Sequence, residues 1–161
     1  MRLSYSLGSL LTINQILECS KKLNKFKPDT LWIPETWGME NFSILSLACM
    51  ENKFSKIGSS IINIYSRSPS LIAMGAATVD TISNKRLVLG LGTSTKPLIE
   101  SFHGDKFEKP VKRMKECVEI IRLIFTGKQI NYSGEIFSLK DFSLLVKPPR
   151  NTIPKIGRAH V

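Results

Sequence analysis

Two stretches decide the fold: Lys56-Ile57-Gly58-Ser59-Ser60-Ile61-Ile62-Asn63-Ile64-Tyr65-Ser66-Arg67-Ser68-Pro69, and further on Arg86-Leu87-Val88-Leu89-Gly90-Leu91-Gly92-Thr93-Ser94. Each begins as a short apolar β-type run and ends in small, polar or turn-forming residues. Between them, Ser68-Pro69 supplies an N-cap and a proline at the first helical position, where the missing N–H costs nothing. The helix that follows carries Ala73, Gly75, Ala76 and Ala77, small residues that let it lie close to a sheet. Strand, helix and strand make a βαβ unit whose polar groups gather at the carboxyl ends of the strands. Ligands bind at those ends in parallel α/β sheets.

The same alternation extends in both directions. Leu3 to Leu7 reads as a strand, and Thr12 with Gln15 forms a capping box for a helix bearing Ile13, Ile16, Leu17 and Leu23 on one face. Pro28-Asp29 breaks that helix, Thr30 to Ile33 is a second strand, and a helix from about Phe42 to Asn52 turns Phe42, Leu45, Ala48 and Cys49 inward. Beyond Ser94, a loop leads to a helix opened by Pro110, with an apolar stripe of Val111, Met114, Cys117, Val118, Ile121 and Phe125, and Gly127 as its stop. A hairpin follows, Gln129 to Tyr132 and Glu135 to Leu139 around a Ser133-Gly134 turn, and Ile153 to Ile156 begins a fifth parallel strand.

Right-handed crossovers wind such units into an open sheet or curl them into part of an eight-stranded barrel. A doubly wound nucleotide fold carries G-x-G-x-x-G after its first strand, and Leu7-Gly8-Ser9-Leu10-Leu11 lacks it. The barrel is the expected architecture.

Composition narrows the partners. At 161 residues and 42% hydrophobic, the chain suits one folded domain. No apolar run approaches the ~20 residues that span a bilayer, and Met1-Arg2-Leu3-Ser4-Tyr5 does not resemble an export signal. Cys19, Cys49 and Cys117 are scattered, as free thiols in a reducing compartment are, so a cytoplasmic location is expected. With two histidines and no Cys-x-x-Cys, no metal site is expected. The net charge of +10 attracts polyanions, yet Lys21, Lys22, Lys25 and Lys27 end one helix and Lys106, Lys109, Lys112 and Lys115 sit on another. Cations in a last turn complement the helix dipole. No aromatic alternation is read among these lysines, so neither a specific nucleic-acid partner nor a membrane partner is expected.

Five ordered segments resemble the luciferase-like monooxygenase superfamily, and within it the deazaflavin-dependent oxidoreductases that include methylenetetrahydromethanopterin reductase. They are Trp32-Ile33-Pro34-Glu35-Thr36-Trp37-Gly38, Ile61 to Pro69, Leu89 to Ser94, Glu100-Ser101-Phe102-His103-Gly104 and Phe107-Glu108-Lys109-Pro110. The resemblance implies a (β/α)8 barrel of about twice this length, of which residues 1–155 are the N-terminal half. The ending Ile156-Gly157-Arg158-Ala159-His160-Val161 lacks the apolar β-formers of a fifth strand and reads like a translated sequencing adapter, a tail foreign to the domain.

The resemblance further implies a small-molecule substrate, a homodimer at full length, and coenzyme F420 or, alternatively, FMN bound at the strand carboxyl ends. It implies a non-prolyl cis peptide at Ser60-Ile61, beneath the cofactor ring. Ser60, Ile61, Asn63, Thr93 and Ser94 are the expected cofactor contacts, and Glu35 and His103 the expected catalytic groups. Plainer roles stay open for each. Glu35 also fits as a cap for the next helix, Asn63 as a partner of its own turn, Thr93 and Ser94 as helix caps, and His103 as loop packing. Arg67 fits either a ligand anion or a surface salt bridge, and Trp37 a pocket wall.

Overall fold

The computed structural model describes residues 3–158, with side chains as far as Pro154. Its parallel sheet starts with β1 (Ser4–Ser6), β2 (Thr30–Ile33) and β3 (Lys56–Ser59) in sequential order, with Tyr5 beside Leu31 and Leu31 beside Ile57. A short strand, β4 (Ile62–Asn63), continues the line of β3 beyond a cis peptide at Ser60-Ile61. The next strand, β5 (Leu87–Gly92), spans both pieces: Leu87 and Val88 lie against Ile57 and Gly58 of β3, and Leu91 and Gly92 against Ile62 and Asn63 of β4. On its other edge β5 carries β8 (Lys155–Arg158). Helices α1 (Ile13–Lys22), α2 (Asn41–Glu51), α3 (Pro69–Ile82) and α4 (Pro110–Phe125) follow the strands in turn. Between α4 and β8 stands the antiparallel hairpin β6 (Ile130–Ser133) and β7 (Ser138–Phe142).

The core lies between the sheet and the helices. Leu31, Ile57, Leu87, Leu89 and Leu91 are buried from the sheet, and Leu45, Ala48, Ile72, Ala76, Ile120, Ile121 and Phe125 meet them from the helices. The strands read as near-continuous apolar runs for that reason. Two glycines permit close approach. A Cβ on Gly90 would collide with the Ser59 carbonyl oxygen, and one on Gly75 would lie 2.7 Å from the Phe42 ring. The small residues of α3 thus admit α2 as well as the sheet.

Several local expectations hold, and others shift. The Thr12–Gln15 capping box, the Ser68 cap with Pro69, and Gly127 in the left-handed region (φ 70°) are all present. Helix α2 begins one residue early, because the Glu40 side chain caps it through the N–H groups of Phe42 and Ser43. Ile13 and Val111, expected in apolar faces, are exposed at 43% and 56%, and Ile120 and Ile124 fill α4's face instead. The hairpin strands begin and end later than expected. Gly134 N–H bonds Phe137 O, and the buried Glu116 carboxylate accepts the N–H groups of Glu135, Ile136 and Phe137, so residues 134–137 form the turn. Residues 155–158, partly assigned to the foreign tail, form β8, while Ala159, His160 and Val161 lie outside the described residues.

Candidate active site

At the carboxyl ends of the strands lies a cavity of about 260 Å3. Its lining brings together Glu35, Ile61, Asn63, Arg67, Ser94 and His103, from segments spread over nearly seventy residues of chain. Trp37, the expected wall, lines it too. Ser60 and Thr93 are not part of the lining: Ser60 is exposed just before Ile61, and Thr93 is buried with its Oγ1 lacking a hydrogen-bond partner among the described residues.

Glu35 follows β2, where Pro34 ends the strand, and its side chain is 8% exposed. Its carboxylate accepts four hydrogen bonds. Arg67 donates two, Nη1 to Oε2 at 2.8 Å and Nη2 to Oε1 at 2.5 Å. The N–H groups of Asn41 and Asn63 donate the others at 3.1 and 3.2 Å. Of the two roles open for Glu35, these bonds include the cap, because Asn41 is the first residue of α2. They also fasten the backbone at the end of β4 to the loop after β2.

Arg67 reaches further, from Nη2 to Glu40 Oε1 at 2.7 Å and from Nη1 to Ser66 Oγ at 3.1 Å, with its guanidinium over the Phe42 ring. The salt-bridge role is the one observed, and it is buried rather than superficial: the Arg67 side chain is 11% exposed. Burial alone lowers the guanidinium pKa, but the bonds from Glu35 and Glu40 outweigh it and raise the value. Burial also works against the Glu40 carboxylate, yet the N–H groups of Ser43 and Phe42, the Ser43 hydroxyl and Arg67 hold it below the ordinary range. Arg67 and Glu40 therefore stay charged at neutral pH.

Asn63 follows its plainer role in part. Its Oδ1 accepts the Tyr65 N–H at 2.9 Å, which closes its own turn. The side-chain Nδ2 donates to no described residue, and the amide lines the cavity. Ser94 sits in the left-handed region at φ 60° just beyond β5. His103 ends a π-helical turn, Leu98–Phe102, with its N–H bonded to Leu98 O and its ring edge-on to Phe102 at 4.9 Å between centroids. Ile61, Met39 and Leu98 give the cavity an apolar lining, and Gly92 keeps the space beside Ile61 clear, since a Cβ there would lie 2.6 Å from its side chain.

Sequence reasoning does not reach Met39, Glu40, Ser66, Leu98 or Phe102. Only Glu40 carried a signal, an acidic residue directly before Asn41-Phe42-Ser43 at a helix start.

A parallel sheet whose strands stand in chain order, with a cavity at their carboxyl ends, is an α/β arrangement of the kind found in α/β barrels. The chain belongs to the luciferase-like monooxygenase family, whose model matches residues 2–158. It is 39% identical over 121 residues to 5,10-methylenetetrahydromethanopterin reductase of Archaeoglobus fulgidus, covering 74% of this chain and 36% of that protein. Among solved structures it is similar to the coenzyme F420-dependent tetrahydromethanopterin reductase of Methanopyrus kandleri (TM-score 0.84, 21% identity, 97% of this chain and 49% of that one). It is also similar to a monooxygenase of Streptomyces bottropensis (TM-score 0.83, 17% identity, 98% and 53%). The chain thus spans about half of these solved structures and about a third of the curated relative. Among the described residues, no helix is long and apolar enough to cross a membrane.

Proposed function

We propose that this chain supplies the ring-binding wall of an oxidoreductase that moves a hydride between coenzyme F420 and a small organic substrate. One observation carries the reading: five of the seven residues that the family resemblance assigns to the site surround one cavity at the strand carboxyl ends. The likeness to methylenetetrahydromethanopterin reductase supports the cofactor choice, and makes a pterin-bound one-carbon group the first substrate to test.

The residues present suit a flat, partly polar ring system. Ile61, Met39 and Leu98 offer an apolar surface, and the Asn63 amide offers a donor that no described residue occupies. Thr93 adds a buried hydroxyl without a partner, one residue before Ser94. About 260 Å3 is slightly below the ~300–1,000 Å3 usual for ligand pockets. This accords with a chain that forms one wall, and we infer that turnover requires the remainder of a barrel. When bound, coenzyme F420 supplies a ring carbon able to carry hydride.

The protein's own residues orient and shield. Ile61, with Ser60 just before it, would hold the ring through apolar contact. Asn63 Nδ2 and the Ser94 hydroxyl would hold its polar groups. Glu35, held by Arg67, fixes the Asn63 backbone, which makes it a positioning residue in this arrangement. His103, at the rim, is placed to exchange a proton with substrate. The complete protein is read as a homodimer in the cytoplasm, without a metal.

The alternative is FMN with molecular oxygen, in keeping with the family's description as luciferase-like monooxygenases; a non-catalytic paralogue would bind a flavin without turnover. Titrating the full-length protein with each cofactor, while following absorbance and oxygen uptake, separates the three. Saturable binding of coenzyme F420 with substrate-dependent bleaching and no oxygen uptake is expected. Oxygen consumption with FMN would transfer the assignment to the alternative.

A further inference from the structure

The helix ends opposite the cavity form a second surface. Three successive helix-to-strand turns meet there, and side-chain bonds lash them together. Asn24 donates from Nδ2 to Glu51 O at 2.8 Å and accepts the Lys53 N–H at 2.9 Å. Asn52 Nδ2 donates to Ser20 O at 3.1 Å. Arg86 donates to Ser55 O at 2.6 Å and to Cys49 O at 2.9 Å. The ends of α1, α2 and α3 are thereby one fixed unit.

Each of these ends presents an exposed apolar side chain beside a lysine. Phe26, 73% exposed, stands between Lys25 and Lys27; Phe54, 58% exposed, follows Lys53. Met50 and Ile82 are 56% and 46% exposed, the latter near Lys85. Lys27 Nζ lies 4.7 Å from the centroid of the Phe54 ring, so the first two turns share one patch. The sequence reading found no aromatics interleaved with these lysines, whereas Phe26 and Phe54 occupy that place.

Among the described residues, Lys25, Lys27, Lys53 and Lys85 form no ion pair. Of the carboxylates nearby, Asp29 faces Lys56, and Asp80 is buried against Arg150. Helix dipoles account for lysines at helix ends, but not for phenylalanines that leave the core beside them.

We propose that this face docks on an anionic phospholipid surface, with Phe26 and Phe54 entering the interfacial layer and the lysines facing headgroups. These lysines match the charge of such a surface. Apolar insertion provides the second signal that stable peripheral binding needs. The composition of the patch chooses between lipid and single-stranded nucleic acid. Bases gain from stacking on aromatic rings, but Met50 and Ile82 have no ring face to offer, whereas an acyl boundary accepts all four side chains. The cavity at the opposite end of the strands stays open to solvent in this orientation.

Co-sedimentation of the full chain with phosphatidylcholine vesicles containing about 30% phosphatidylglycerol tests the proposal. Binding is expected to these and not to pure phosphatidylcholine, and to fall about tenfold when the salt is raised several-fold. Phe26→Ser with Phe54→Ser should lower the partition coefficient about tenfold. A control pair, Leu10→Ser with Val111→Ser, exposed at the cavity end of the strands, should leave it unchanged and so separates docking from general stickiness. Equal binding to neutral vesicles, or an unchanged coefficient in the phenylalanine variant with its circular dichroism intact, overturns the proposal. So does a lack of vesicle binding alongside salt-sensitive binding to an oligothymidylate, which assigns the face to nucleic acid.

Discussion

Arg67 and Glu35 meet in a two-pronged pair of 2.8 and 2.5 Å that joins the loop after β4 to the loop after β2, at the edge of the cavity. The pair fixes more than itself, because the same carboxylate holds the N–H groups of Asn41 and Asn63. Removing one partner from such a buried pair leaves a charge without compensation. Arg67→Ala should therefore destabilise the fold by about 3 kcal/mol, read as a lowered urea midpoint. Arg67→Lys keeps the charge but cannot match both oxygens, so it should recover only part of the loss. An Arg67→Ala variant as stable as the wild type would remove the clasp from the account.

Glu116 gives a pH prediction. Its burial disfavours the charged form, but the N–H groups of Phe137, Ile136 and Glu135 outweigh this and hold its pKa below the ordinary carboxylate value of 4.5. A carboxyl lowered in the folded state contributes stability above its unfolded value, and that contribution disappears as the pH falls through the folded value. Amide exchange at Ile136 and Phe137 should thus be slow at neutral pH and accelerate on acidification below about 4.5, after correction for intrinsic rates. Glu116→Gln should be fast at both pH values. Protection in the variant equal to that of wild type would show that other bonds hold the turn.

Two glycines should respond in opposite degree to the same change. Gly90→Ala drives a methyl group into the Ser59 carbonyl oxygen, where backbone must move, and should cost about 3 kcal/mol. Gly104→Ala meets open space and pays only for its positive φ of 69°, about 1 kcal/mol. Thermal melts of the two variants check the ranking, and a reversed order would contradict the packing of β3 against β5.

What the sequence disclosed follows the range of the interactions. Thr12 with Gln15, Ser68 with Pro69, and Gly127 act within a helical turn, and all were legible. The strands were legible too, because a sheet covered by helices turns their apolar content into continuous runs. Glu116 was not, since its partners lie about twenty residues away in a turn whose position it determines. Nor was the buried Asp80, whose two bonds from Arg150 at 2.8 Å cross seventy residues of chain. For Glu35 the sequence discloses a position but not an occupation. A carboxylate after a strand's carboxyl end suits chemistry and architecture alike, and only the Arg67 geometry reveals the four donors around it.

The central claim is that the cavity around Asn63 receives the ring of coenzyme F420. Equilibrium titration followed by the cofactor's fluorescence, on wild type and on Asn63→Asp, tests it most directly. The substitution keeps an acceptor for the Tyr65 N–H and removes the amide donor. Saturable binding by wild type, weakened about tenfold in the variant, is the expected result, as befits the loss of one buried hydrogen bond. Equal affinity in the two proteins, or no saturable binding by either, would contradict the account.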